Sequence, residues 1–184
     1  MNINSFNFFN KRALIRVDFN VPINNEGQVT DDTRIRMAIP TIKKVLESNG
    51  SVVLMSHLGR PKDEFEKKYS LSQIVGTVEK HLDQSISFAE DCISDQAFKL
   101  TENLQNGQVV LLENLRFYAE EKKGDSSFAM KLAKHGDVYI NDAFGTAHRA
   151  HASTAVIANY FKENKMFGHL PVSYTHLTLP TIRE

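Results

Sequence analysis

Only one cysteine, Cys92, stands in the 184 residues. No intrachain disulfide can form, and a reducing cytosol is the compartment that fits. As a nucleophile Cys92 is a poor candidate, because free cysteines are usually buried and inert. Net charge is also missing, since 22 Lys and Arg balance 22 Asp and Glu. That argues against a nucleic-acid binder relying on overall basicity, although a local basic patch stays open. No apolar run approaches the roughly 20 residues of a membrane span. The first residues, MNINSFNFFNKR, lack the long apolar core of a secretory signal. A cytoplasmic protein without membrane or nucleic-acid partners is expected. The chain has no G-x-G-x-x-G, no G-x-x-x-x-G-K-S/T and no G-x-S-x-G. Neither a dinucleotide fingerprint, a P-loop nor a hydrolase elbow is therefore signalled. His148 and His151 lie three apart, but no cysteine or second acidic cluster completes a metal site, so none is expected. Repeats and low-complexity segments are lacking too.

What is present is a regular alternation. Hydrophobic residues make up 41% of the chain, enough for one well-buried domain. Arg12–Asp18 reads as a first strand, Val52–Met55 as a second, Ile86–Phe88 as a weak third, Val109–Leu112 as a fourth and Val138–Ile140 as a fifth. Amphipathic helices fall between and after them. The first is opened by Asp31 or Asp32, with Ile35, Ala38, Ile39, Ile42, Val45 and Leu46 on one face. Pro40 should kink or restart it. Ser70 opens another, with Ile74, Val78 and Leu82 facing inward and Gln73 placed for a capping box. Ser94 caps Asp95–Leu104, and Ser126 or Ser127 opens Phe128–Lys134. Lys122–Gly124 reads as a loop. A last helix is expected over Thr154–Phe161, capped by Ser153 or Thr154. This pattern predicts an α/β fold, a Rossmann-like parallel sheet with helices on both faces, built from βαβ units.

Parallel strands send their carboxyl ends to one edge, where ligands of such sheets bind. Polar loops follow the strands here. Asp18 and Asn20 follow the first, His57 and Arg60 the second, Asn114 and Arg116 the fourth, and Arg149 the fifth. Arg34 lies in the first turn of the first helix. The longest such loop, NDAFGTAHRAHAST (Asn141–Thr154), joins small residues at Ala143 and Gly145 to a cationic cluster at His148, Arg149 and His151. Guanidinium forks and helix N-termini both favour phosphate or carboxylate. Clustered arginines cost free energy unless an anion or solvent offsets them. The edge therefore suits a small ligand carrying a strong anion and hydroxyl groups, such as a sugar-acid phosphate. Any one of these arginines could instead pair with one of the 22 acids.

RVDFNVP (Arg16–Pro22), DDTRI (Asp31–Ile35), SHLGRP (Ser56–Pro61), LLENLRF (Leu111–Phe117) and NDAFGTAHRAHAST together resemble the amino-terminal half of phosphoglycerate kinase. The motifs stand in the family's order across residues 12–160. The resemblance implies a domain over residues 1–170 that binds 3-phosphoglycerate or 1,3-bisphosphoglycerate. It implies phosphoryl transfer between 1,3-bisphosphoglycerate and ADP, giving 3-phosphoglycerate and ATP in glycolysis. By resemblance the substrate-binding residues are Asp18, Phe19, Asn20, Arg34, His57, Leu58, Gly59, Arg60, Arg116 and Arg149. Arg34 resembles the catalytic arginine that stabilises the moving phosphoryl group. The family's second domain holds Mg2+ with ATP or ADP, and that nucleotide domain is absent from these residues. The fragment alone is expected to bind no cofactor or metal, to be inactive in turnover, and to be a monomer. From Pro171 to Glu184 the chain matches nothing expected of the family and reads as a foreign tail. Two other readings remain. One is a stand-alone, non-catalytic anion-binding α/β module. The other is an unrelated α/β enzyme that binds another phosphate ester.

Overall fold

The computed structural model describes residues 2–143 and 149–169. The strands are β1 (Arg12–Val17), β2 (Ser51–Met55), β3 (Ser87–Ala89), β4 (Val109–Leu112), β5 (Val138–Asp142) and β6 (Lys165–Phe167). They form one sheet in the order β3-β4-β2-β1-β5-β6, and every pairing is parallel. The helices are α1 (Thr33–Glu47), α2 (Val75–Leu82), α3 (Asp95–Glu102), α4 (Ala119–Lys123) and α5 (Ser126–Ala133). Alternate residues of the strands feed two cores. Ala13, Ile15 and Val17 of β1 pack with Ile35, Ile42, Val45 and Val78 of α1 and α2. Leu14 of the same strand packs with Ala97, Phe128 and Leu132 of α3 and α5. Burial on both faces explains why β2 and β4 are nearly all apolar.

The expected alternation is present, with differences that have physical causes. β6 adds a sixth strand that sequence reading passes over, because only Met166 of its three residues is buried. α4 takes in Lys122 and Lys123 of the expected loop Lys122–Gly124, leaving Gly124 as its left-handed cap. α1 runs unbroken through Pro40, which is exposed. The carbonyl that Pro40 leaves unbonded one turn back can be met by solvent, so the helix does not restart. Ser70 starts a 3-10 turn, Leu71–Ile74, before α2. There Gln73 Nε2 donates to the Ser70 carbonyl at 2.9 Å, so no capping box forms. Asp125, not a serine, caps α5, its Oδ1 accepting from Phe128 N–H at 2.8 Å. The expected helix after Thr154 is a 3-10 turn, Val156–Tyr160, with no side-chain cap. The Ser153 hydroxyl is engaged elsewhere, as described below. The segment Pro171–Glu184, and with it the expected tail, lies outside the described residues.

At the exit of the sheet, Gly168 N–H donates to the Asn141 carbonyl at 3.0 Å, and His169 N–H donates to Thr41 Oγ1 at 2.8 Å. A Cβ at Gly168 would collide with the Asp142 carboxyl and the Thr41 hydroxyl. This close packing desolvates Asp142 and pushes its carboxyl up to about 8, against the hydrogen bond with Thr41. The cost of ionising it is absent below about pH 4, the ordinary carboxylate range. It grows as pH rises toward 8. Asp142→Asn is neutral at every pH and keeps an acceptor for Thr41. The variant should match the parent near pH 4 and exceed it by about 5 kcal/mol at pH 8. Paired urea melts at the two pH values check this, and an equal difference at both would contradict it.

Candidate functional site

The carboxyl ends of β1, β2, β4 and β5 build one cationic cleft. After β1, Asp18 and Asn20 are partly buried while Phe19 is fully buried between them. Asp18 Oδ1 accepts from Asn20 N–H at 3.2 Å, which folds the chain back over the strand end. Asn20 Oδ1 accepts from Gly59 N–H at 2.9 Å. That bond fixes the amide so that its NH2 group is left for other acceptors. From α1, Arg34 Nη1 donates to the Asn20 carbonyl at 2.7 Å and stands 3.5 Å from Asp18 Oδ1. An open cavity of about 370 Å3 lies among Asn20, Val21, Pro22, Asp31 and Arg34.

The loop after β2 is held from below. Asn114 Nδ2 donates to the carbonyls of Leu58 at 2.7 Å and Tyr69 at 2.9 Å, and its Oδ1 accepts from Arg116 N–H at 3.0 Å. Gly59 has φ +63, and a Cβ there would run into the Tyr69 ring. Only glycine meets both conditions. The Phe19 amide donates to Ser56 Oγ at 2.9 Å, tying the first two loops together.

Arg116 is buried, and among the described residues its Nε finds no partner. Burial lowers its pKa, as do the nearby charges of Arg16, Arg149 and Arg60, while Glu121 opposes them. Arg60 and Arg149, both exposed, are thus close enough to Arg116 for their charges to be felt. His57 is pushed down to about 2 by burial and by Arg16, Arg116, His151 and Arg34. His151 is lowered by desolvation and by Arg116, Arg149 and Arg16, with Glu121 opposing, and its Nδ1 is buried without a partner among the described residues.

The structure thus brings together Asp18, Asn20, Arg34, His57, Gly59, Arg60, Arg116 and Arg149. Phe19 and Leu58 are different. Both side chains belong to the core, so they frame the site and do not line it. The ion-pair alternative holds only for Arg34, through Asp18; among the described residues Arg60, Arg116 and Arg149 have no carboxylate within bonding reach. His148 and Gly145 lie outside the described residues. Sequence reading also missed a buried support beneath the cleft. It consists of Arg16, Glu121 and Ser153. The available signal was Arg16 itself, a charge at a strand position that shares its face with Leu14.

Arginine, imidazole and amide donors around an unmatched buried N–H fit an anion. They do not fit a cation. Among the described residues no group of three or more His, Cys, Asp or Glu side chains is placed to hold a metal ion. No described helix is long and apolar enough to cross a membrane.

A family model described as "Phosphoglycerate kinase" matches residues 3–173. The chain belongs to the phosphoglycerate kinase family. Phosphoglycerate kinase of Borrelia hermsii is 53% identical over 158 residues, covering 86% of this chain and 40% of that protein. The Porphyromonas gingivalis phosphoglycerate kinase is 46% identical over 194 residues, covering 92% of this chain and 46% of that one. Among solved structures, phosphoglycerate kinase from Coxiella burnetii superposes with a TM-score of 0.80 at 37% identity, covering 94% of this chain and 42% of that one. The chain therefore spans less than half the length of these phosphoglycerate kinases. All the residues that form the cleft fall within the matched region.

Proposed function

We propose that this chain is the phosphoglycerate-binding part of a phosphoglycerate kinase. It takes 3-phosphoglycerate or 1,3-bisphosphoglycerate in the strand-end cleft. A second domain, outside these residues, holds Mg2+ with ADP or ATP and completes glycolytic phosphoryl transfer in the cytoplasm. The observation that carries this reading is Arg116, buried with an unmatched Nε donor and electrostatically coupled to Arg60 and Arg149, which have no carboxylate partner among the described residues. Their combined charge favours the phosphate and carboxylate of the ligand, and Asn20 is oriented to donate to a hydroxyl or acyl oxygen. Residues 1–170 form the binding unit in this reading, and Pro171–Glu184 take no part.

Phosphoryl transfer needs positioning and cancellation of charge more than covalent help. Arg34 is placed for the second task. It stands at the rim of the cleft, half exposed, tethered through one Nη to the Asn20 carbonyl. Its Nε and Nη2 have no partner among the described residues, which leaves them for an acceptor brought by the opposing domain.

The test is an amide-resolved NMR titration. 3-Phosphoglycerate should shift Asn20, Gly59 and Arg116, and Mg-ATP should leave them in place. Shifts by unrelated sugar phosphates of equal size would favour another phosphate ester. Clear Mg-ATP binding would contradict the assignment of the nucleotide to a second domain. Binding should also weaken several-fold between about 50 and 200 mM salt, because the open cleft is screened. Salt-independent affinity would contradict an arginine-driven site.

A further inference from the structure

Among the described residues Arg16 is the largest fully buried side chain, yet it carries a charge. All three of its nitrogens are engaged: Nε donates to Ser153 Oγ at 2.9 Å, Nη1 donates to the Val17 carbonyl, and Nη2 lies 2.9 Å from His57 Nδ1. The counter-charge is Glu121, also fully buried. It does not meet Arg16 directly. Glu121 Oε1 accepts from Ser153 N–H at 2.9 Å and its Oε2 accepts from the Ser153 hydroxyl. The Ser153 carbonyl in turn accepts from Tyr139 OH at 2.7 Å. The result is a chain of groups, Glu121–Ser153–Arg16–His57, that joins α4, the loop after β5, the end of β1 and the loop after β2.

A guanidinium has only donors. Its contact with His57 Nδ1 therefore requires a lone pair on that nitrogen. The ring's single proton must then sit on Nε2. That atom has no protein partner among the described residues and is not among the sealed, unpartnered atoms. We propose that Arg16 is a positioning residue that fixes His57 as the neutral Nε2–H tautomer and presents that N–H to the cleft. The assignment of the ligand rests on the function proposed above; the tautomer does not. It follows that His57 acts as a directed hydrogen-bond donor, while Arg34, Arg60, Arg116 and Arg149 supply the charge. The groups acting on His57 are Arg16 from β1, Arg34 from α1, Arg116 from the turn after β4, and His151 from the loop after β5. All are cationic or neutral, so none favours an imidazolium.

The test is long-range proton–nitrogen correlation NMR of the histidine rings in the intact chain, without ligand, from pH 5 to pH 8. His57 should show a protonated Nε2 and an unprotonated Nδ1 throughout. An Nδ1–H tautomer, or titration with a midpoint near the ordinary histidine value, overturns the proposal. Arg16→Lys should free the ring, which then titrates or mixes tautomers within this range, and 3-phosphoglycerate should bind about tenfold more weakly. The buried His135, held by Thr101 and the Cys92 carbonyl, reports whether the variant is folded. Should Arg16→Lys not fold, Ser153→Ala removes the support alone and should loosen the same ring. A folded variant with an unchanged His57 contradicts the role of Arg16. A locked His57 in a chain that ignores 3-phosphoglycerate keeps the tautomer and overturns the ligand.

Discussion

Glu121→Ala should destabilise the folded domain by about 3–5 kcal/mol, the usual penalty for stranding a buried charge. Glu121 is completely buried in the short helix Ala119–Lys123. Its carboxylate satisfies both the amide and the hydroxyl of Ser153. Through Ser153 it balances Arg16, whose pKa burial lowers and whose charge Glu121 supports more than any other group. Removing the carboxylate leaves a buried guanidinium uncompensated and two donors unmatched. Glu121→Gln keeps an acceptor for Ser153 and loses only the charge, so it should fall between the variant and the parent. Urea melts monitored by circular dichroism read the difference. A loss under about 1 kcal/mol for Glu121→Ala, typical of surface sites, would show that the network does not hold the fold.

The second large effect concerns chemistry. With this chain joined to an intact nucleotide domain, Arg34→Ala should lower kcat roughly 100-fold and change KM little. An electrostatic donor used mainly in the transition state has that signature. The structure supports this split because Arg34 is half exposed and only loosely paired with Asp18, whereas Arg116 is buried in the cleft wall. In the proposed reading Arg34 meets charge that develops late. If kcat holds and KM alone rises, Arg34 is a binding residue like its neighbours.

Much of this was legible from the residues because periodicity and turn chemistry agreed. The all-apolar stretch of β2 and β4 marks strands covered on both faces, and the loops after them carry the arginines. What escaped reading had weak or contrary patterns. The three residues of β6 are too few to show a period. Lys122–Gly124 reads as a loop, and AEEKK (Ala119–Lys123) has no apolar stripe to mark it as a helix, yet its middle glutamate is buried. Arg16 and Glu121 break the rule that charges stay outside, and their partnership between residues 105 positions apart in the chain has no local signature. Phe19 and Leu58 illustrate the opposite limit. Their side chains fill the core, so a ligand would meet only their backbone groups.

The most direct test of the anion cleft is titration calorimetry of this chain with 3-phosphoglycerate, comparing the parent with Arg116→Ala at moderate salt. A charge-assisted hydrogen bond in a buried wall contributes about 1.5–3 kcal/mol, so Kd should rise about tenfold to a hundredfold while the melting temperature stays close to that of the parent. Equal affinity in the two proteins, or no measurable binding by the parent at millimolar ligand, would contradict the account.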